Sequence, residues 1–402
     1  MKSEWKRLSL GEITENVIDC RGKTPKKLGG DWSESGYRAL SAKNIKTGRI
    51  VQLDTIRYIN DEMYKRWMKE EVQRGDILIT SEAPFGQIFF WDSEEKIVLS
   101  QRLFCVRIKP EYDARFIYYY MTTPAFQSEL EGRATGTTVI GLRQPELMKC
   151  VIRCPRIQEQ KAIATVLSAI DAKIVVNEKL NDNLYAQAKA TTKQWISKST
   201  GDYELLPLSD IASINPDTYS PKETWKYVNY LDTSSITEGC IAEIQHITPS
   251  SEKLPSRARR KIAPNDIVFS TVRPNQRHYG IISEPLPNML GSTGFAVIRS
   301  KNPLVCNELI YLCLTENEFI KKMQQLAEQS TSTFPSIKPS DLGVCEIPCP
   351  KDQSSTSFTE TLKSLFALIA ANQRENISLS EIRDALLPKL MSGEIDVSDI
   401  QL

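Results

Sequence analysis

Thr137-Thr138-Val139-Ile140-Gly141-Leu142-Arg143-Gln144-Pro145-Glu146-Leu147-Met148-Lys149-Cys150-Val151-Ile152-Arg153-Cys154-Pro155 has a counterpart later in the chain, Ser332-Thr333-Phe334-Pro335-Ser336-Ile337-Lys338-Pro339-Ser340-Asp341-Leu342-Gly343-Val344-Cys345-Glu346-Ile347-Pro348-Cys349-Pro350. Thr137-Thr138, Leu142, Leu147, Cys150, Cys154 and Pro155 correspond to Ser332-Thr333, Ile337, Leu342, Cys345, Cys349 and Pro350 at a constant offset of 195. A repeat of half the chain dictates architecture before any single motif does. The rest of the sequence follows it. Leu8-Ser9-Leu10-Gly11-Glu12-Ile13 lines up with Leu206-Pro207-Leu208-Ser209-Asp210-Ile211, and Gly75-Asp76-Ile77-Leu78-Ile79-Thr80 with Asn265-Asp266-Ile267-Val268-Phe269-Ser270, a turn leading into a strand. Ser100-Gln101-Arg102-Leu103-Phe104-Cys105-Val106-Arg107 likewise parallels Ser292-Thr293-Gly294-Phe295-Ala296-Val297-Ile298-Arg299.

Past Pro155 no Pro or Gly occurs until Gly201, and Ile163, Val166, Ile170, Ile174, Leu180 and Leu184 recur at steps that mark one apolar helix face. About forty residues at ~1.5 Å each reach about 60 Å, more than a small domain core requires. The second copy predicts a helix from roughly Ser355 to Leu387, with Leu362, Leu365, Ile369, Leu379 and Leu386 on its face, ended by Pro388 and Gly393. Asn177 and Asn372 fall at equivalent places on the two seams, where a polar residue can fix register. The predicted fold is α+β: two tandem pseudo-symmetric domains, 1–155 and 201–350, separated by a pair of long antiparallel, coiled-coil-like helices in 156–200 and 351–402. Ser197-Lys198-Ser199-Thr200-Gly201-Asp202 is the expected linker.

The 402 residues, 41% hydrophobic and 25% charged, suit two globular domains. A net charge of +1 leaves any nucleic-acid binding to local patches. Nine cysteines, an odd count without a secretory signal, indicate reduced thiols, and no apolar run is long enough to span a bilayer, so a cytoplasmic location is expected. Two histidines, His246 and His278, starve most histidine-based catalysis.

Motifs for catalysis are weak. Arg21-Gly22-Lys23-Thr24 ends like a phosphate-binding loop, but the position five before Gly22 is Val17. The pairs Cys150/Cys154 and Cys345/Cys349 have loose spacing for zinc and read as core positions. Asp171-Ala172-Lys173 has nuclease letters but lies mid-helix, where it reads as surface charge. Neither a glycine-rich cofactor loop nor an Asn-Pro-Pro-Tyr methyltransferase motif is present.

Basic and amide side chains in predicted loops remain, at matching places in both copies. Phosphate contacts give affinity, whereas Arg to guanine and Asn or Gln to adenine read sequence. The candidate DNA-binding residues are Arg21, Lys23, Thr24, Lys26, Lys43, Asn44, Gln87, Thr137, Thr138 and Arg143 in the first copy. In the second they are Arg259, Arg260, Arg273, Asn275, Gln276, Arg277, Ser332, Thr333 and Lys338. Ser81-Glu82-Ala83-Pro84-Phe85-Gly86-Gln87 sits opposite Thr271-Val272-Arg273-Pro274-Asn275-Gln276-Arg277, a kept frame with a replaced loop.

Cys154-Pro155-Arg156-Ile157-Gln158-Glu159-Gln160-Lys161-Ala162-Ile163-Ala164-Thr165-Val166-Leu167-Ser168-Ala169-Ile170-Asp171 resembles the central region of type I restriction–modification specificity subunits. Leu386-Leu387-Pro388-Lys389-Leu390-Met391-Ser392-Gly393-Glu394-Ile395 resembles their C-terminal region. Arg21-Gly22-Lys23-Thr24-Pro25 and Tyr230-Leu231-Asp232-Thr233-Ser234-Ser235-Ile236 are similar to parts of their recognition domains. The resemblance implies two target-recognition domains, each reading half of a bipartite double-stranded DNA site, with the helix pair setting the gap. It also implies partners: two methyltransferase subunits and restriction (motor–nuclease) subunits, which use S-adenosylmethionine, ATP and Mg while this chain binds no cofactor. One departure is Lys351-Asp352-Gln353-Ser354-Ser355, which lacks the Glu-Gln-Lys of the first copy and leaves the start of the second helix open. A DNA-modifying enzyme acting alone and a purely structural scaffold are the competing readings.

Overall fold

The computed structural model describes residues 5–136, 140–198, 201–220, 222–330 and 334–397. Two compact units emerge, one of residues 1–175 with 376–402 and one of residues 176–375. Each contains one globular domain and about half of each long helix.

In the first unit, a four-stranded antiparallel sheet takes the order Thr14–Asp19, Leu103–Ile108, Ile77–Thr80, Ile88–Phe90. Tyr37–Leu40 pairs antiparallel to Arg57–Ile59 and parallel to Ile97–Leu99 in a second sheet. Lys6–Ser9 closes the domain by pairing with Val151–Cys154, which joins the start of the domain to the start of the helix. The second unit repeats this plan. Its sheet has the order Ala212–Ile214, Phe295–Ser300, Asp266–Ser270, Tyr279–Ile282, and Tyr203–Pro207 pairs with Glu346–Pro350. Its second sheet has four strands, because Gln245–Ile247, Val228–Leu231, Met289–Ser292 and Ala258–Lys261 pair in that order.

Strand sequence explains which face is covered. Ile77 and Ile79 enter the core with Leu10, Ile13 and Phe116, while Leu78 and Cys105 point to the opposite face and pack with Trp67 and Trp91. Ile77–Thr80 is buried on both sides, which accounts for its continuous apolar run. Cys150 and Cys154 belong to the first of these cores, and burial pushes both thiols up to about 12, so they stay protonated. Their inherited core role is the one expected from sequence.

The first long helix runs Ile157–Lys198 and the second Thr356–Ser392, about 63 and 55 Å at 1.5 Å per residue. Within the second unit, Trp195 stacks on Phe358 while Asn181 meets Asn372, so position numbers fall on one helix as they rise on the other and the pair is antiparallel. Three expectations about these helices need correction. Leu180 is largely exposed and off the seam. Pro388 does not end the second helix, since Leu390 and Met391 are buried in the first unit's core and hold another turn, which stops at Gly393 in a left-handed conformation. The second helix starts after a short 3-10 turn, Gln353–Ser355, capped by Asp352. Where the first copy has Gln160, whose side chain bonds Asp113 N and Pro155 O, the second has buried Ser355, whose Oγ accepts from Trp195 Nε1.

The third correction concerns Asp171, which is not simple surface charge. It accepts from Tyr119 Oη at 2.6 Å and from Arg383 Nη1 at 2.9 Å, joining the first domain to both helices within one unit. Burial and the adjacent carboxylate raise the Tyr119 pKa, so the phenol is the donor. Asp171→Ala is expected to cost about 1–3 kcal/mol by leaving that buried hydroxyl unpaired, and Asp171→Asn less, since an amide oxygen can still accept. Urea midpoints of the two variants check this; equal midpoints for Asp171→Ala and the parent would refute it.

Candidate nucleic-acid interface

Antiparallel order brings four strand ends to one end of each large sheet. In the first unit, Thr14–Asp19 and Ile77–Thr80 end there, and Leu103–Ile108 and Ile88–Phe90 begin there. The backbone ties these loops together: Ser81 N donates to Arg102 O at 2.9 Å, and Leu142 N to Ser81 O at 3.0 Å. Arg21 Nη1 reaches Leu142 O at 3.3 Å. The second unit repeats the ties, with Thr271 N donating to Gly294 O at 2.8 Å and Ile337 N to Thr271 O at 2.9 Å. A small hairpin borders each cluster, Ile45–Lys46 with Arg49–Ile50 in one and Ile236–Thr237 with Cys240–Ile241 in the other. Gly48 and Gly239 hold their turns in left-handed conformations and donate to Ile88 O and Tyr279 O.

The registers correct the sequence alignment at one place. Ile79 pairs with Ile88, but Phe269 pairs with Tyr279, so the second loop is one residue longer. Ala83 and Arg273 match, both left-handed with φ of 44° and 47°, as do Gly86 and Arg277. Gln87 therefore matches His278 rather than Arg277.

Among the candidates in the first unit, Arg21 lies at the cluster, bonded to Asp19 and stacked 4.0 Å over the Phe104 ring. Gln87 accepts from Thr47 N and Oγ1, which locks the hairpin to the loop. Lys26, Lys43 and Arg143 are exposed. Lys23 is folded back, donating to Trp67 O at 2.7 Å, and Thr24 Oγ1 accepts from Lys27 N. Asn44 was expected in a solvated loop but is 1% exposed, and its side chain is consumed by Ser41, Val51, Gln52 and Thr55. It shapes the turn and offers nothing to a ligand.

In the second unit Arg273, Asn275 and Gln276 are exposed around a 3-10 turn, Pro274–Gln276. Arg277 is tied to Glu238 Oε1 at 3.1 Å, Asn317 Oδ1 at 2.8 Å and the Tyr279 hydroxyl. Burial opposes its charge, yet these partners outweigh that and raise its pKa further. Arg259 and Arg260 are not in a loop: both lie in the strand Ala258–Lys261, with Arg259 Nε on Ser256 O and Arg260 partly buried, its charge disfavoured by desolvation. Arg257, just before that strand, touches the cluster through its carbonyl, which accepts from Thr293 N at 2.8 Å. Lys338 is exposed where Arg143 stands in the other copy. Thr137, Thr138, Ser332 and Thr333 lie outside the described residues. Asn177 is 0% exposed and donates to Glu375 Oε2 at 2.7 Å, and Asn372 donates to Asn181 Oδ1 at 2.8 Å.

Arg102 was missed. It stands between the loops at φ 66°, paired with Glu82 and half exposed, where the second copy has Gly294. An Arg aligned with a Gly before a strand is the signal that could have found it, because it marks a turn rather than a strand residue.

Residues 2–186 match the family model described as the type I restriction modification DNA specificity domain. Over that stretch the chain is similar to that family. It is 29% identical to the type I restriction enzyme HindI specificity subunit of Haemophilus influenzae, over 98% of this chain and all of that one. It is 24% identical to the MjaIX specificity subunit of Methanocaldococcus jannaschii, over 86% of this chain and 83% of that one. The fold is that of a type I restriction–modification S subunit from M. genitalium, whose crystal structure superposes with a TM-score of 0.56 at 18% identity, covering 96% of both chains. Among the described residues no helix is long and apolar enough to cross a membrane.

Proposed function

We propose that this specificity subunit reads a bipartite site on double-stranded DNA, one half with each loop cluster, and that the helix pair sets the unread spacer between the halves. The observation that carries this is the conserved frame with exchanged loops: the same backbone ties recur in both units, while Ala83 becomes Arg273 and Arg102 becomes Gly294. A frame kept for folding and side chains changed at its open end are what two readers of different sequences need. Catalysis belongs to partners in this reading: two methyltransferase subunits that use S-adenosylmethionine, and restriction subunits that use ATP and Mg, all in the cytoplasm.

Replacing residues 201–350 with the second domain of another specificity subunit is expected to change one half of the methylated motif and leave the other half intact. Sequencing methylated bases in cells that carry the hybrid with its methyltransferase subunits reads this out. A motif altered in both halves would overturn independent reading. Methylation or cleavage by the purified chain alone, supplied with cofactors, would instead favour a self-sufficient enzyme.

A further inference from the structure

Both arginines of the second loop were equal candidates by sequence; the geometry separates them. Arg277 spends its guanidinium on Glu238, Asn317 and Tyr279, groups that anchor the loop to the neighbouring hairpin and to the helix Asn317–Glu328. A base could recruit it only by breaking these bonds. Arg273 has no ion pair among the described residues; its guanidinium lies 5.1 Å over the ring of Phe334, itself 53% exposed. Stacking on an aromatic face restrains a flexible cation while leaving the N–H edge of the fork free.

The backbone points the same way. Arg273 occupies a left-handed conformation, uncommon for a residue with a side chain. It is held there by its N–H on Pro335 O at 2.9 Å, by Gln276 N on its own carbonyl at 2.9 Å, and by buried Pro274. The first unit holds the same conformation at the same place with Ala83, so the frame does not need an arginine. Its long side chain is therefore surplus to folding and stands exposed at the open end of the cluster.

We infer that Arg273, stacked on Phe334, is the residue of the second unit that reads a guanine edge in the major groove, and that Arg277 is a positioning residue that reads no base. This rests on the reading above, that the cluster binds DNA. A planar fork donating two parallel N–H groups fits guanine O6 and N7, which a lysine cannot match, whereas a phosphate accepts either side chain.

The test uses the subunit assembled with its methyltransferase partners, with methylated bases mapped for the parent, Arg273→Lys, Phe334→Leu and Arg277→Ala. Arg273→Lys is expected to relax one position in one half-site, with discrimination against other bases falling roughly ten- to a hundredfold. Phe334→Leu should relax the same position by less. Arg277→Ala should lower methylation evenly with the motif unchanged. Retention of the other half-site shows in each case that the protein is folded. An unchanged motif in Arg273→Lys, or a position relaxed by Arg277→Ala, would overturn the inference and leave bipartite reading standing. A parent complex that methylates without a bipartite motif would overturn both.

Discussion

Asp76→Ala is expected to cost about 3–5 kcal/mol, because it removes one partner of a buried ion pair and strands the other. Asp76 is 1% exposed and takes both bonds of a fork from Arg107, at 2.9 and 2.8 Å, on the adjacent strand. Its Oδ2 also accepts Gln73 N at 2.8 Å, closing the turn that precedes Ile77–Thr80. The second unit repeats the device with Asp266, 0% exposed, held by Arg299 at 2.7 and 2.8 Å and by Ala263 N at 2.7 Å. There the loss should be smaller, since Arg299 keeps a second carboxylate, Asp217, at 3.0 Å. Among the described residues, Arg107 keeps only the Glu71 carbonyl as a hydrogen-bond partner. Hydrogen exchange of the amides of 77–80 and 103–108 in Asp76→Ala, and of 266–270 and 295–300 in Asp266→Ala, measures each opening free energy locally. An Asp266→Ala loss larger than that of Asp76→Ala would refute the argument.

This pair also shows what sequence could and could not supply. Gly75-Asp76 and Asn265-Asp266 were legible as turns because turn chemistry is local. That each carboxylate closes the turn and also grips the next strand depends on a partner some thirty residues away. The repeat, the two long helices and the core strands were legible for the same local reason, since periodicity and spacing survive in the chain. Asn44 looked solvated because it sits in a basic, turn-rich segment, yet its partners are backbone groups of a turn that exists only once folded. Leu180 faces away from the seam because it lies six residues past Ile174, a step that turns it about 120° from that residue's direction. At the candidate interface, sequence located the loops but not the inserted residue that separates Arg273 from Arg277. Only strand register reveals it.

Adding four residues to each long helix is expected to lengthen the unread spacer of the target by one or two base pairs while both half-sites stay the same. The place for the insertions follows from the division of the chain: between 175 and 176 on the first helix and between 375 and 376 on the second. Neither interrupts a unit's own contacts, since Asp171 with Arg383 lies within one unit and Asn177 with Glu375 within the other. Inserting in one helix alone would shift Asn177 past Glu375 and Asn181 past Asn372, leaving buried amides unpaired, so the insertions must be matched. Four helical residues add about 6 Å and a net rotation of about 40°. At about 3.4 Å per base pair, that length is nearly two base pairs. DNA turns about 35° per base pair, in the same right-handed sense, so one or two added pairs also absorb the rotation. Two residues per helix would add about 3 Å but turn the apolar faces by about 200°, and assembly or methylation should be lost. Mapping methylated bases for the two designs decides the matter: an active four-residue variant with the parental spacer would show that the helices do not set the gap.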